Sequence, residues 1–133
     1  VVIAIIGLLS TLAVVSLGNA RQKARDAKRL SDLKQLQTAL ELFYTDKNMY
    51  PTVSGVNLGT TNYACLGGSD AGFVAAGACG ASPYMGQVPT DPSPGQNYVY
   101  TNASSSYTIT ATLETSMNGY SGGVTLSPSG ILD

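Results

Sequence analysis

The chain of 133 residues contains no histidine and no tryptophan. Without an imidazole there is no Ser–His or Cys–His nucleophile pair, and the eight acids are too scattered in sequence to suggest a carboxylate dyad. No phosphate-binding glycine motif is present either, since Gly67-Gly68 and Gly122-Gly123 read as turn punctuation. The chain therefore reads as a non-enzyme with no cofactor. Bases are missing from the whole C-terminal part: all seven Lys and Arg lie between Arg21 and Lys47, and beyond them only Asp70, Asp91, Glu114 and Asp133 are charged. A surface without cations cannot neutralise phosphates, which argues against nucleic-acid binding there. The two cysteines, Cys65 and Cys79, are spaced too widely for a CxxC redox motif, and without histidine they do not make a zinc site. They are read as a disulfide closing a loop of about 15 residues, worth about 3 kcal/mol by chain entropy, against two free buried thiols.

Proline is absent before Pro51, and what fills that space is helical in pattern. Val1 to Ala20 is an uncharged, mostly apolar run. As a helix it spans about 30 Å, enough to cross the hydrocarbon of a bilayer. Small residues interrupt it at Gly7, Ser10, Thr11, Ser16 and Gly18, which lets helices approach one another closely. From Arg21 the run turns amphipathic. Ala20, Ala24, Ala27, Leu30, Leu33, Leu36, Leu40 and Phe43 recur at spacings of three and four, while Arg21, Lys23, Arg25, Asp26, Lys28, Arg29, Asp32 and Lys34 mark a polar face. That charged face is either a solvated surface or a contact between subunits. Asp46-Lys47-Asn48 before Pro51 supplies the stop, so one helix is expected from the start to about Lys47. Val1 is not an initiator Met, and the front of the gene product is expected to be processed off or to lie outside this sequence.

The run from Val1 to Thr52, closing on DKNMYPT, resembles the N-terminal region of type IV pilins and of the related type II secretion pseudopilins. The resemblance implies an α+β pilin fold: one long N-terminal helix packed on a small C-terminal antiparallel β-meander. It also implies a homo-oligomeric helical filament, with the subunit held in the inner membrane before a pilus assembly machinery takes it up. On this reading residues 1–20 form the filament core and subunit interface through Val1, Val2, Ile3, Ile5, Ile6, Leu8, Leu9, Leu12, Val14, Val15 and Leu17. The family's N-methylated aromatic and its pairing glutamate are not in this sequence, and no proline kinks the apolar run. Gly7 and Gly18 instead mark a stretch expected to loosen on assembly, since each glycine costs about 1 kcal/mol in a helix relative to alanine.

Residues 21–133 read as the globular domain: amphipathic helix 21–47, loop 48–96 and meander 97–127. The loop is dense in Gly, Ser, Thr and Pro, with a short helical turn expected within Ala71 to Ala78. In YTITATLET, Tyr107, Ile109, Ala111 and Leu113 alternate with Thr108, Thr110, Thr112 and Glu114, the period of a half-buried strand whose polar set faces water. NYVYT and GVTLS read as its neighbours. Leu33, Leu36, Leu40 and Phe43 are then expected to meet Ile109 and Leu113 in one helix–sheet core, and Phe43, Tyr44 and Tyr50 read as packing. Asn102-Ala103-Ser104 matches a glycosylation acceptor.

Two functions remain open at this level, a structural filament subunit and a membrane-anchored binding domain. The subunit is favoured because the resemblance runs through the apolar and amphipathic halves together. Pseudopilins of the secretion branch commonly carry calcium in their C-terminal loops, but between Asn97 and Leu132 this chain offers Glu114 as its one carboxylate. No calcium dependence is expected. That favours a major pilin in an extracellular, cell-surface filament, with the type II secretion pseudopilin as the alternative.

Overall fold

The computed structural model describes all residues, 1–133. A single helix, α1 (Val2–Lys47), takes up the first third, about 70 Å of rod. It ends where Asn48 turns left-handed at φ 56° and donates its N–H to the Tyr44 carbonyl at 2.7 Å. Asparagine tolerates that conformation better than most residues, and Pro51 follows. The apolar half of α1 touches nothing, whereas Leu33, Leu36, Leu40 and Phe43 are completely buried against the sheet.

The sheet has five strands in the order β1 (Val56–Asn57), β4 (Val99–Asn102), β5 (Tyr107–Thr112), β6 (Gly123–Ser127) and β7 (Gly130–Leu132), and every neighbouring pair is antiparallel. Its centre is β5, where Tyr107, Ile109 and Ala111 point inward and the alternate threonines outward. Tyr100 opposite Ile109 and Leu126 opposite Ile109 continue the buried row across the sheet. The sheet reaches past the expected meander at both edges. β1 is a two-residue strand drawn from the loop, and β7 folds back on β6 through a turn at Pro128-Ser129.

The segment 48–96 is less irregular than its composition suggests. β2 (Cys65–Leu66) and β3 (Phe73–Val74) form a small hairpin, with short 3-10 turns at Thr61–Tyr63 and Ala76–Ala78. The second turn lies within the expected Ala71–Ala78 stretch, but a strand precedes it. Leu58, Leu66, Phe73 and Val88 anchor the segment to the main core, which is why so many glycines and prolines still yield a defined path. Gly72 shows the tightness: it sits at φ 77°, and a Cβ there would collide with the Pro51 ring.

Candidate functional site

Two features stand apart from ordinary packing, the uncovered apolar half of α1 and a buried charge cluster in its basic stretch. Along the first, every large apolar side chain from Val1 to Leu17 is at least 52% exposed. The helix is long and apolar enough to cross a membrane. It runs unbroken through Gly7 and Gly18, with the Thr11 hydroxyl donating to the Gly7 carbonyl at 3.0 Å. A Cβ on either glycine would meet nothing within 4 Å, so no packing inside this subunit calls for them.

The second feature corrects the reading of the polar face. Asp26, Arg29 and Asp32 are buried, while Ala24 and Ala27, expected on the apolar face, are exposed. The signal was present in the spacing. Stepping back from Leu33 by four and then three residues lands on Arg29 and Asp26, so the stripe that meets the sheet continues in charged side chains. Arg29 uses all of its donors: Nε and Nη2 hold the two oxygens of Asp91 at 2.9 and 2.8 Å, and Nη2 also reaches Ser93 Oγ at 2.7 Å. Nη1 donates to Asp26 Oδ1 at 2.7 Å and to Glu114 Oε2 at 2.8 Å. Glu114, expected to face water, is gripped from the other side by Arg25 through bonds of 2.6 and 2.7 Å. Asp26 accepts the backbone N–H groups of Glu114 and Thr115, each at 2.8 Å, and the Thr115 hydroxyl at 2.7 Å. Beside this cluster Lys28 pairs with Asp32 at 2.6 Å, and Tyr98 donates its hydroxyl to the same carboxylate.

The electrostatics follow from these contacts. Hydrogen bonds from Arg25 and then Arg29 hold the Glu114 carboxyl down to about 2. Burial alone would push Asp26 up, but the Glu114 and Thr115 donors and Arg29 outweigh it and hold it below the usual carboxylate range. Asp91 above all raises Arg29, which remains a guanidinium cation throughout.

The remaining expected residues lie apart from this cluster. Cys65 and Cys79 are bonded to each other with Cα atoms 6.0 Å apart, tying the β2–β3 hairpin to the 3-10 turn that follows. Leu113 and Ile109 lie buried with the helix leucines. Asn102 spends its side-chain N–H on the Pro51 carbonyl at 2.8 Å and its oxygen on the Ser104 N–H at 3.0 Å, so a glycan there would displace a structural contact. Tyr44 packs on Tyr50, which meets Tyr107 of the sheet, and Phe43 meets Tyr84 edge to face.

The calcium site that secretion pseudopilins imply does not fit the residues present. No three acids are placed to hold a metal ion, and Asp26, Asp91 and Glu114 gather around the Arg29 guanidinium instead. In the loop between β5 and β6 the one carboxylate, Glu114, is already bound by two guanidinium groups, and Asp133 is engaged by Ser121. Calcium takes six to eight oxygens and cannot share these.

The family model described as Type II secretion system (T2SS), protein G matches residues 16–125, well over half of the chain. The type II secretion system core protein G of Aeromonas hydrophila is 42% identical over 52 residues, covering 39% of this chain and 36% of that protein. The core protein G of Escherichia coli (strain K12) is 41% identical over 54 residues, covering 41% of this chain and 37% of that protein. The chain thus spans little more than a third of the length of the curated relatives it matches. No solved structure matches it significantly. These matches overturn the extracellular, cell-surface location, because pseudopilins of the protein G type form a periplasmic pseudopilus anchored in the inner membrane, and they support the pseudopilin alternative better than the major pilin. The error had a physical source: the shortage of carboxylates tests for a metal, not for a family. A long helix, apolar in its first half and packed on an antiparallel sheet in its second, together with the match over residues 16–125, makes this chain a member of the type II secretion system protein G family, the non-catalytic structural subunits within the type IV pilin superfamily.

Proposed function

We propose that this chain is the repeating subunit of a pseudopilus, held in the inner membrane by residues 1–20 and then packed through the same residues into a helical polymer by a secretion assembly machinery. The observation that carries the proposal is the contrast within one helix. From Leu33 onward the inward stripe is fully covered, whereas from Val1 to Leu17 every large apolar side chain is more than half exposed. Exposed apolar surface on that scale requires either lipid or other copies of the chain. Gly7 and Gly18 fit a role that appears only on assembly, where neighbouring helices satisfy backbone groups freed by a local loosening of the helix. A Cys65–Cys79 disulfide fits an oxidising compartment such as the periplasm.

The test is chemical cross-linking of membrane and periplasmic fractions from cells that make the full chain together with a type II secretion assembly machinery. A ladder of multiples that collapses in a Leu8→Ala/Leu12→Ala variant is expected. A chain that stays monomeric in the membrane under these conditions overturns the reading.

A further inference from the structure

The loops Thr90–Ser93 and Leu113–Gly122 are far apart in sequence, yet both are fastened to one turn of α1. Lys28 Nζ donates to the Thr90 carbonyl at 3.2 Å, and Arg29 holds Asp91 and Ser93. Asp26 takes the Glu114 and Thr115 amides, and Arg25 and Arg29 take the Glu114 carboxylate. At the centre sits a positive charge that is 1% exposed and is ringed by oxygens from the helix and both loops. That is the topology of a metal site with a guanidinium in the metal's place.

We infer that the loop between β5 and β6 is fixed in this chain by an arginine clamp centred on Arg29, which substitutes for a divalent cation, so that the folded domain neither requires nor binds calcium. The saturation of the donors and acceptors carries the argument. Arg29 has five N–H groups and makes five hydrogen bonds. Both Asp26 oxygens accept twice, and Glu114 Oε2 accepts from two arginines. A calcium ion entering here would have to evict a guanidinium, because every carboxylate oxygen of Asp26, Asp91 and Glu114 already accepts a hydrogen bond, and Asp91 Oδ2 and Glu114 Oε1, which accept one each, are both held by an arginine. Arginine suits this role where lysine would not, since its planar fork binds Asp91 with two parallel bonds while its other nitrogen serves two further acids. The inference rests on the fold of the domain and stands whether or not the chain polymerises.

The full chain in detergent is melted with a chelator, with added calcium, and with neither, and amide exchange is followed in Leu113–Gly122 and Thr90–Ser93. The melting temperature is expected to be the same in all three conditions. Arg25→Met, at a partly exposed position, is expected to remain folded and to speed exchange at Glu114 and Thr115 by about tenfold or more, the scale of one lost charge-assisted hydrogen bond. Arg29→Met is expected to free both loops or to prevent folding. A melting temperature that calcium raises or a chelator lowers overturns the inference. So does a folded Arg25→Met or Arg29→Met protein whose loop exchange matches the parent.

Discussion

Tyr98, just before β4, and Tyr107, in β5, are both fully buried and differ in a single hydrogen bond. Tyr98 donates its hydroxyl to Asp32 at 2.8 Å, whereas the Tyr107 hydroxyl has no partner. A buried bond to a charged group is worth about 1.5–3 kcal/mol, and an unsatisfied buried hydroxyl costs about 1–3 kcal/mol. Tyr98→Phe is therefore expected to destabilise by about 1.5 kcal/mol, the low end because Lys28 still holds Asp32. Tyr107→Phe is expected to be neutral or stabilising. Denaturant titration checks the pair, and a Tyr107→Phe loss as large as that of Tyr98→Phe would show that the hydroxyl is satisfied. The acids of the Arg29 cluster set a second expectation. Asp26 and Glu114 are both depressed in the folded state, so their contribution is fully present above their unfolded values of about 4 and disappears as pH falls toward about 2. Melting temperatures should hold steady down to about pH 5 and then drop, and Glu114→Gln should flatten part of the fall. An equally steep fall in that variant would place the acid sensitivity elsewhere.

At the scale of elements, the stripe on α1 divides sharply. Leu36 is fully buried and Leu42 is 53% exposed, six residues along the same helix. Leu36→Asp should prevent folding by placing an unpaired charge between helix and sheet, and Leu42→Asp should leave circular dichroism and melting unchanged. Equal behaviour of the two variants would mean that the packed face is misplaced. The β2–β3 hairpin makes its own prediction, since its strands are two residues each and the Cys65–Cys79 link adds to the anchoring of Leu66 and Phe73 in the core. Alkylation without reductant should label neither cysteine, and reduction should lower stability by about 2–3 kcal/mol. Two labelled thiols in unreduced protein would refute the link. The helix and β5 were legible because a period of three and four, or of two, runs through them for several repeats. β1, β2 and β3 are two residues each, too short to show any period, and β7 pairs only because Gly130 permits a tight return. The charge cluster was misread for a different reason. A window scored by hydrophobicity sees Asp26 and Arg29 as outward-facing, although they share the phase of Leu33 and Leu36, and only the loops that fold onto them reveal their partners.

On the scale of the whole molecule, the chain consists of a closed domain and a rod that contributes nothing to it. None of the apolar half of α1 is buried, so a protein beginning at Arg21 should fold and melt at the same temperature as the full chain in detergent. A marked loss of stability would show that the rod supports the domain in a way its exposure hides. Between the rod and the domain there is no linker, glycine pair or proline, only continuous helix. The two halves are therefore locked in phase. A helix turns about 100° per residue, so one alanine inserted between Asn19 and Ala20 would swing the sheet about 100° around the axis while advancing it about 1.5 Å, and seven would return it to within about 20° of its bearing. Whichever face of the rod meets its neighbours thereby sets the compass direction in which the sheet looks, and the register of the first twenty residues carries that bearing into the domain.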